Sequence, residues 1–261
     1  MTLIHEIYRR NKLLASLGTV NLIAATLLFF YSFFNKEVVL GINSMIKPIK
    51  FALSIWIYAW TMALLLFYVN DQSKVKKYAW VAIIAMGFEQ FAIISQAFRG
   101  QLSHFNNSSI YGGILYALMG IFIVVLTVQT LRIAITFIRQ KTYTISAPLV
   151  LSIQIGLIYF VIFSFFGGYI SGVNGHTVGA NDGGQGLPLI NWSTMFGDLR
   201  VAHFFGIHAL QIIPIFGYWV SEKYESATAT KAIWVFSVIY LAYVCFTMIQ
   251  ALMGMPFFRV S

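Results

Sequence analysis

The sequence predicts an all-α integral membrane protein of seven transmembrane helices. Three observations carry this prediction. Of 261 residues, 59% are hydrophobic and 10% charged, against about 45–50% and about 25% in soluble domains. The apolar residues gather in seven long runs, each near the roughly 20 residues that a helix needs to cross a bilayer core. A lone cysteine, Cys245, excludes an internal disulfide framework.

The runs cover about residues 13–34, 45–69, 78–98, 111–138, 145–170, 198–220 and 231–254 of a single transmembrane domain. Only helices or closed barrels satisfy the backbone in lipid, and runs this continuous read as helices. The first follows Arg9, Arg10 and Lys12; too long for a signal-peptide core and without a small-residue cleavage site, it reads as a retained span. Cytoplasmic loops favour Lys and Arg. With the N-terminus inside, the inner flanks hold 11 of the 17 basic residues and the outer flanks 6, namely Lys36, Lys47, Lys50, Arg99, Arg200 and Arg259. The N-terminus is therefore expected in the cytoplasm and the C-terminus outside. A net charge of +9 suits anionic lipid on the inner face and requires no nucleic acid. The long outward stretch 171–197 is rich in glycine, so turns are expected there in place of regular structure. Its length and position suggest a lid.

Ionisable residues within the spans are costly, and each is a candidate functional residue. The second span opens K-P-I-K, where Lys47 and Lys50 share a face. Pro48 costs nothing in the first turn. The plainer reading of both lysines is snorkelling to headgroups. In the third span Glu89, Gln96 and Arg99 form one stripe, running into Ser103, His104 and Asn106. A mid-span Glu89 needs a proton, a cation or a metal; its plainer reading is a structural bond within the bundle. The sixth span reads D-L-R-V-A-H-F-F-G-I-H-A-L-Q-I-I-P, with Asp198 suited to the helix dipole. Arg200 and His203 share one face, His208 and Gln211 another. His203 and His208 lie about 140° apart around the helix and about 7.5 Å along it, so they serve one site only with partners from other helices. The plainer reading is that both bond neighbouring helices. Pro214 is expected to kink this span. Spans two, three and six should line an outward-open polar cavity.

Several chemistries drop out. The seventh span has no lysine beyond Lys231 to carry a retinal Schiff base. No phosphate-binding G-x-x-x-x-G-K-[ST] loop or G-x-S-x-G elbow occurs. Cys245 sits in apolar sequence and reads as inert. Three readings stay open. One is a metal or haem site acting on a lipid-soluble substrate, with Zn, Cu, Fe or a haem held by His104, His203, His208 and Glu89, and with Glu89 and His203 in the catalytic roles. The second is a metal-free site for a quinone, an anionic lipid headgroup or a small anion, lined by Lys47, Lys50, Gln96, Arg99, Asn106, Asp198, Arg200 and Gln211. The third is an accessory or sensor subunit of a membrane complex, or an oligomer, in which the polar cluster is structural.

Two stretches, Q-A-F-R-G-Q-L-S-H-F-N at 96–106 and G-D-L-R-V-A-H-F-F-G-I-H-A-L-Q-I-I-P at 197–214, resemble motifs of a group of seven-span bacterial inner-membrane proteins. The K-P-I-K-F opening of span two fits that group, and the likeness covers about a quarter of the chain. It implies a bacterial inner-membrane setting and marks the same three spans, but brings no activity. A second likeness is to the seven-span hydrolases that include alkaline ceramidases and progestin-type receptors. Their last helix carries an H-x-x-x-H pair, whereas the seventh span here has no histidine, so only an analogy follows.

Overall fold

A computed structural model of the chain describes residues 2–106 and 109–259. In order the elements are α1 (Leu3–Arg10), α2 (Lys12–Ser32), β1 (Val38–Val39), β2 (Ile42–Asn43), α3 (Ile46–Leu65), α4 (Gln72–Phe98), α5 (Ile110–Arg139), α6 (Ala147–Gly172), β3 (Thr177–Val178), β4 (Gly197–Asp198), α7 (Leu199–Lys223) and α8 (Ser226–Leu252). Seven of the helices among the described residues, α2 to α8, are long and apolar enough to cross a membrane. The protein is an all-α multi-pass membrane protein. It comprises two compact units, Met1–Gln129 and Thr130–Ser261.

In the first unit, local caps set where each helix starts. The Asn11 side chain accepts from the Leu14 amide at the head of α2, and Asp71 accepts from the Lys74 amide at the head of α4. Helix α2 lies close along α3 because Gly18 faces the Trp60 ring, and a Cβ there would run into the indole. Trp60 Nε1 in turn donates to the Ala15 carbonyl at 3.2 Å. The Tyr58 and Tyr78 hydroxyls bond to each other between α3 and α4, and Gln90 Nε2 donates to the Pro48 carbonyl at 3.1 Å. Leu115 and Met119 of α5 bury against Ala92 and Ile93 of α4, with Phe51 and Phe88 alongside.

The second unit is held by α6, α7 and α8. Ile155 and Phe163 of α6 pack with Ala202, Ala209 and Ile213 of α7 and with Ile233 and Val244 of α8. Lipid supplies no hydrophobic drive between spans, so close packing of small residues carries the association. Gly206 sits on the Phe163 ring, Gly217 on Ser152, and Gly156 against the Ala209 carbonyl and the Pro214 ring. Tyr240 Oη donates to the Phe205 carbonyl at 2.6 Å, tying α8 to α7.

Three features differ from the sequence expectations. Helix α1 precedes the first span; it is too short and too charged to resemble a span, yet it is capped by Thr2 and buries Ile7. Glu6 holds Arg9 at 2.7 Å and Arg10 at 2.6 Å, and Arg10 reaches the Leu64 carbonyl at 3.1 Å. A small hairpin joins α2 to α3, pairing Val38 with Asn43 and Val39 with Ile42. The glycine-rich stretch is not turns alone: β3 pairs antiparallel with β4, and Gly186 bridges Ser193. Asp198 caps the sixth span's helix, which starts at Leu199 and includes Pro214.

Replacing Gly206 with alanine forces a methyl group into the Phe163 ring. Overpacking of this kind costs about 1–3 kcal/mol, so the Gly206→Ala protein should unfold several degrees earlier in a detergent thermal melt. Gly120→Ala, where a Cβ meets nothing within 4 Å, should melt no earlier than the parent.

Candidate functional site

The candidate residues divide between the units. Lys47, Lys50, Glu89, Gln96, Arg99, His104 and Asn106 belong to the first, and Asp198, Arg200, His203, His208 and Gln211 to the second.

In the first unit, the start of α3 and the loop after α4 bring two of them into contact. Lys47 Nζ lies 3.1 Å from His104 Nδ1, and Ser103 Oγ lies 3.2 Å from the same nitrogen. An ammonium has only donors, so Nδ1 accepts in the contact with Lys47. Aromatic rings surround the imidazole, with centroids of Phe51 at 5.8 Å, Tyr116 at 6.1 Å and Phe105 at 6.2 Å. Glu89 is buried on α4. Its Oε2 has no hydrogen-bond partner among the described residues, and neither do Gln90 Oε1 and Gln96 Oε1. Buried polar atoms are normally satisfied, so three orphan acceptors along one helix mark a place where donors are missing. Gln96 Nε2 donates to the Leu102 carbonyl at 3.2 Å and the Asn106 amide to the same carbonyl at 2.8 Å, and the two fix the loop that carries His104. Lys50 is half-buried one turn further along α3. Arg99 does not join the stripe; it ends α4 and lies exposed over the Tyr111 ring at 4.4 Å.

In the second unit, Asp198 is the hub. Its Oδ2 accepts from the Ser193 amide at 2.9 Å and from Arg200 Nη2 at 2.6 Å, and its Oδ1 accepts from the Arg200 amide and Nε at 3.0 and 2.9 Å. Arg200 therefore folds back onto the loop and away from the His203 face. His203 Nδ1 donates to the Phe163 carbonyl at 2.9 Å, and its ring packs on Gly167. His208 Nδ1 donates to Gln211 Oε1 at 3.1 Å. Among the described residues, no three His, Cys, Asp or Glu side chains gather around a point where an ion could sit.

Sequence reasoning passed over His176, Asp182 and Trp192. His176 Nδ1 lies 3.2 Å from Asp182 Oδ1, and the Asp182 carboxylate also accepts from the His176 and Thr177 amides. The signal available was a loop histidine six residues before an aspartate, a spacing no helix or strand period picks out. Trp192 is buried among Phe204, Phe205 and Phe257. No family model, curated protein or solved structure matches the chain.

Burial alone would raise the Asp198 pKa, but the Arg200 guanidinium, the nearby His176 and the Ser193 amide outweigh it and hold the carboxyl below its ordinary range. A carboxyl depressed in the folded state adds stability above its unfolded pKa, and that stability is lost as the pH falls through the folded value. Amide exchange at Ser193 and Arg200 should therefore stay protected to a pH below the ordinary aspartate range near 4 and open in stronger acid. Asp198→Asn should remove the pH dependence and leave both amides less protected throughout.

Proposed function

We infer that the first unit binds the ring of a quinone-type, lipid-soluble molecule at the outer membrane face of a bacterial inner-membrane protein. The contact of Lys47 with His104 inside an aromatic surround carries this reading. A lysine ammonium carries three donor hydrogens, which suit a carbonyl oxygen. The Phe51, Phe105 and Tyr116 rings offer faces to a planar apolar body. Buried Glu89, with one oxygen unpartnered, supplies an acceptor for a proton released when the ligand changes state. An anionic headgroup suits the place less well: Arg99 is turned to Tyr111. For a metal centre, no set of three His, Cys, Asp or Glu side chains gathers among the described residues.

The test is binding of a short-chain, water-soluble ubiquinone analogue to the full chain in detergent. Loss of one hydrogen bond to a charged donor costs about 1.5–3 kcal/mol, so Lys47→Met and His104→Phe should each weaken binding by about tenfold or more. His208→Ala should bind like the parent. No saturable binding by folded protein contradicts the reading. So does a stoichiometric transition metal or haem that is lost in a His104→Ala/His203→Ala double variant.

A further inference from the structure

The loop between α6 and α7 gathers more negative than positive charge at its base. From Ser171 to Gly197 it carries no lysine or arginine, and the fixed cation at its base is Arg200 of α7. Two carboxylates meet there. Asp198 is buried and pairs with Arg200 at 2.6 Å. Asp182 accepts from the His176 and Thr177 amides at 3.2 and 2.9 Å. No lysine or arginine pairs with Asp182 among the described residues.

The His176 ring faces both carboxylates. Its Nδ1 lies 3.2 Å from Asp182 Oδ1 and 3.9 Å from Asp198 Oδ1, with Thr177 Oγ1 at 3.3 Å. With a neutral imidazole, two carboxylates stand against one guanidinium, and one negative charge is left over. A proton on His176 balances the cluster, and unmatched charge away from water is costly. The neighbouring elements add no further charge. Helix α8 packs on β3 and β4, and residues 246–258 hold no titratable side chain. At the end of α6, Tyr169 stacks on Phe166, and His203 of α7 bonds the Phe163 carbonyl. The His176 side chain is 11% exposed and borders a small cleft, so solvent protons reach it without unfolding.

The same residues join the two ends of the loop. Asp182 holds the start of β3, β3 pairs with β4, and the His176 carbonyl accepts from the Leu199 amide at 2.9 Å. We propose that His176 is a proton-operated latch: its protonation closes the α6–α7 loop onto the head of α7, and its deprotonation loosens the loop. Opposite charges within about 4–6 Å favour the ionised form, so the closed loop holds the proton more tightly than the open one. Closure is therefore favoured at low pH and weakens as the pH rises through the histidine range near 6.5. The latch lies wholly in the second unit and does not depend on the quinone reading of the first.

The test is hydrogen exchange on the full chain in detergent from about pH 5.5 to 8, a range that brackets histidine and lies above the carboxylates. Rates are corrected for the intrinsic exchange at each pH. Protection of the His176, Thr177 and Leu199 amides should fall by about tenfold across this range, the scale of one charge-assisted bond. His176→Gln keeps a polar side chain that takes up no proton, and its profile should be flat. Asp182→Asn removes the surplus charge while its side-chain carbonyl still accepts from the two amides, and it should flatten the profile as well. Amides inside α7 and α8, read in the same spectra, report whether each variant is folded, and Asp182→Asn decides the matter if His176→Gln is not. A flat profile in the parent overturns the proposal. So does a slope that survives in either folded variant.

Discussion

The Lys47 ammonium lies against the His104 imidazole, and the polar part of the first unit is organised by that contact. A lysine at the start of a span normally extends its head into water. Here it meets the His104 imidazole at 3.1 Å. The loop after α4 must then stay where it is, and Gln96 and Asn106 hold it by bonding the Leu102 carbonyl. Asn106 is buried against Gly112, and a Cβ there would lie 2.8 Å from the Asn106 amide. The loop and the head of α3 are therefore positioned by one set of polar contacts, on a unit whose α4 carries three buried acceptors with no partner among the described residues.

The second unit meets the same constraint differently. Buried charge costs several kcal/mol unless matched and hydrogen-bonded. Asp198, 1% exposed, is matched completely, by a guanidinium and two backbone amides. Its role is to pin the loop to the head of α7. The histidines further along α7 are satisfied by a carbonyl and an amide, which is the outcome membrane packing favours for isolated polar side chains. The first unit thus holds a buried carboxyl oxygen with no partner among the described residues, and the second holds Asp198 paired with Arg200.

The fold was legible because hydropathy is a strong, local signal. Runs of this length have few structural solutions in lipid, and the helix ends fall within a few residues of the apolar limits except at Gln72 and Ser226, where charged or polar residues extend α4 and α8 beyond the hydrophobic stretch. The site was legible in part. Helical periodicity placed Glu89 and Gln96 on one stripe, and both are buried. Periodicity fails where a helix ends, which is why Arg99 turns to Tyr111 instead. It also says nothing of loops: the bonds of His176 to Asp182, and of Arg200 back to Asp198, are set by turn geometry and strand pairing. The Lys47–His104 contact spans 57 residues, and no local pattern announces it.

The most direct test of this account is a double-mutant cycle on Lys47 and His104, read as affinity for the quinone analogue. If the two side chains act as one unit, Lys47→Met/His104→Phe should bind no more weakly than the worse single variant, a coupling of about 1 kcal/mol or more. Losses that simply add would show two residues acting independently, and would contradict a site built on their contact.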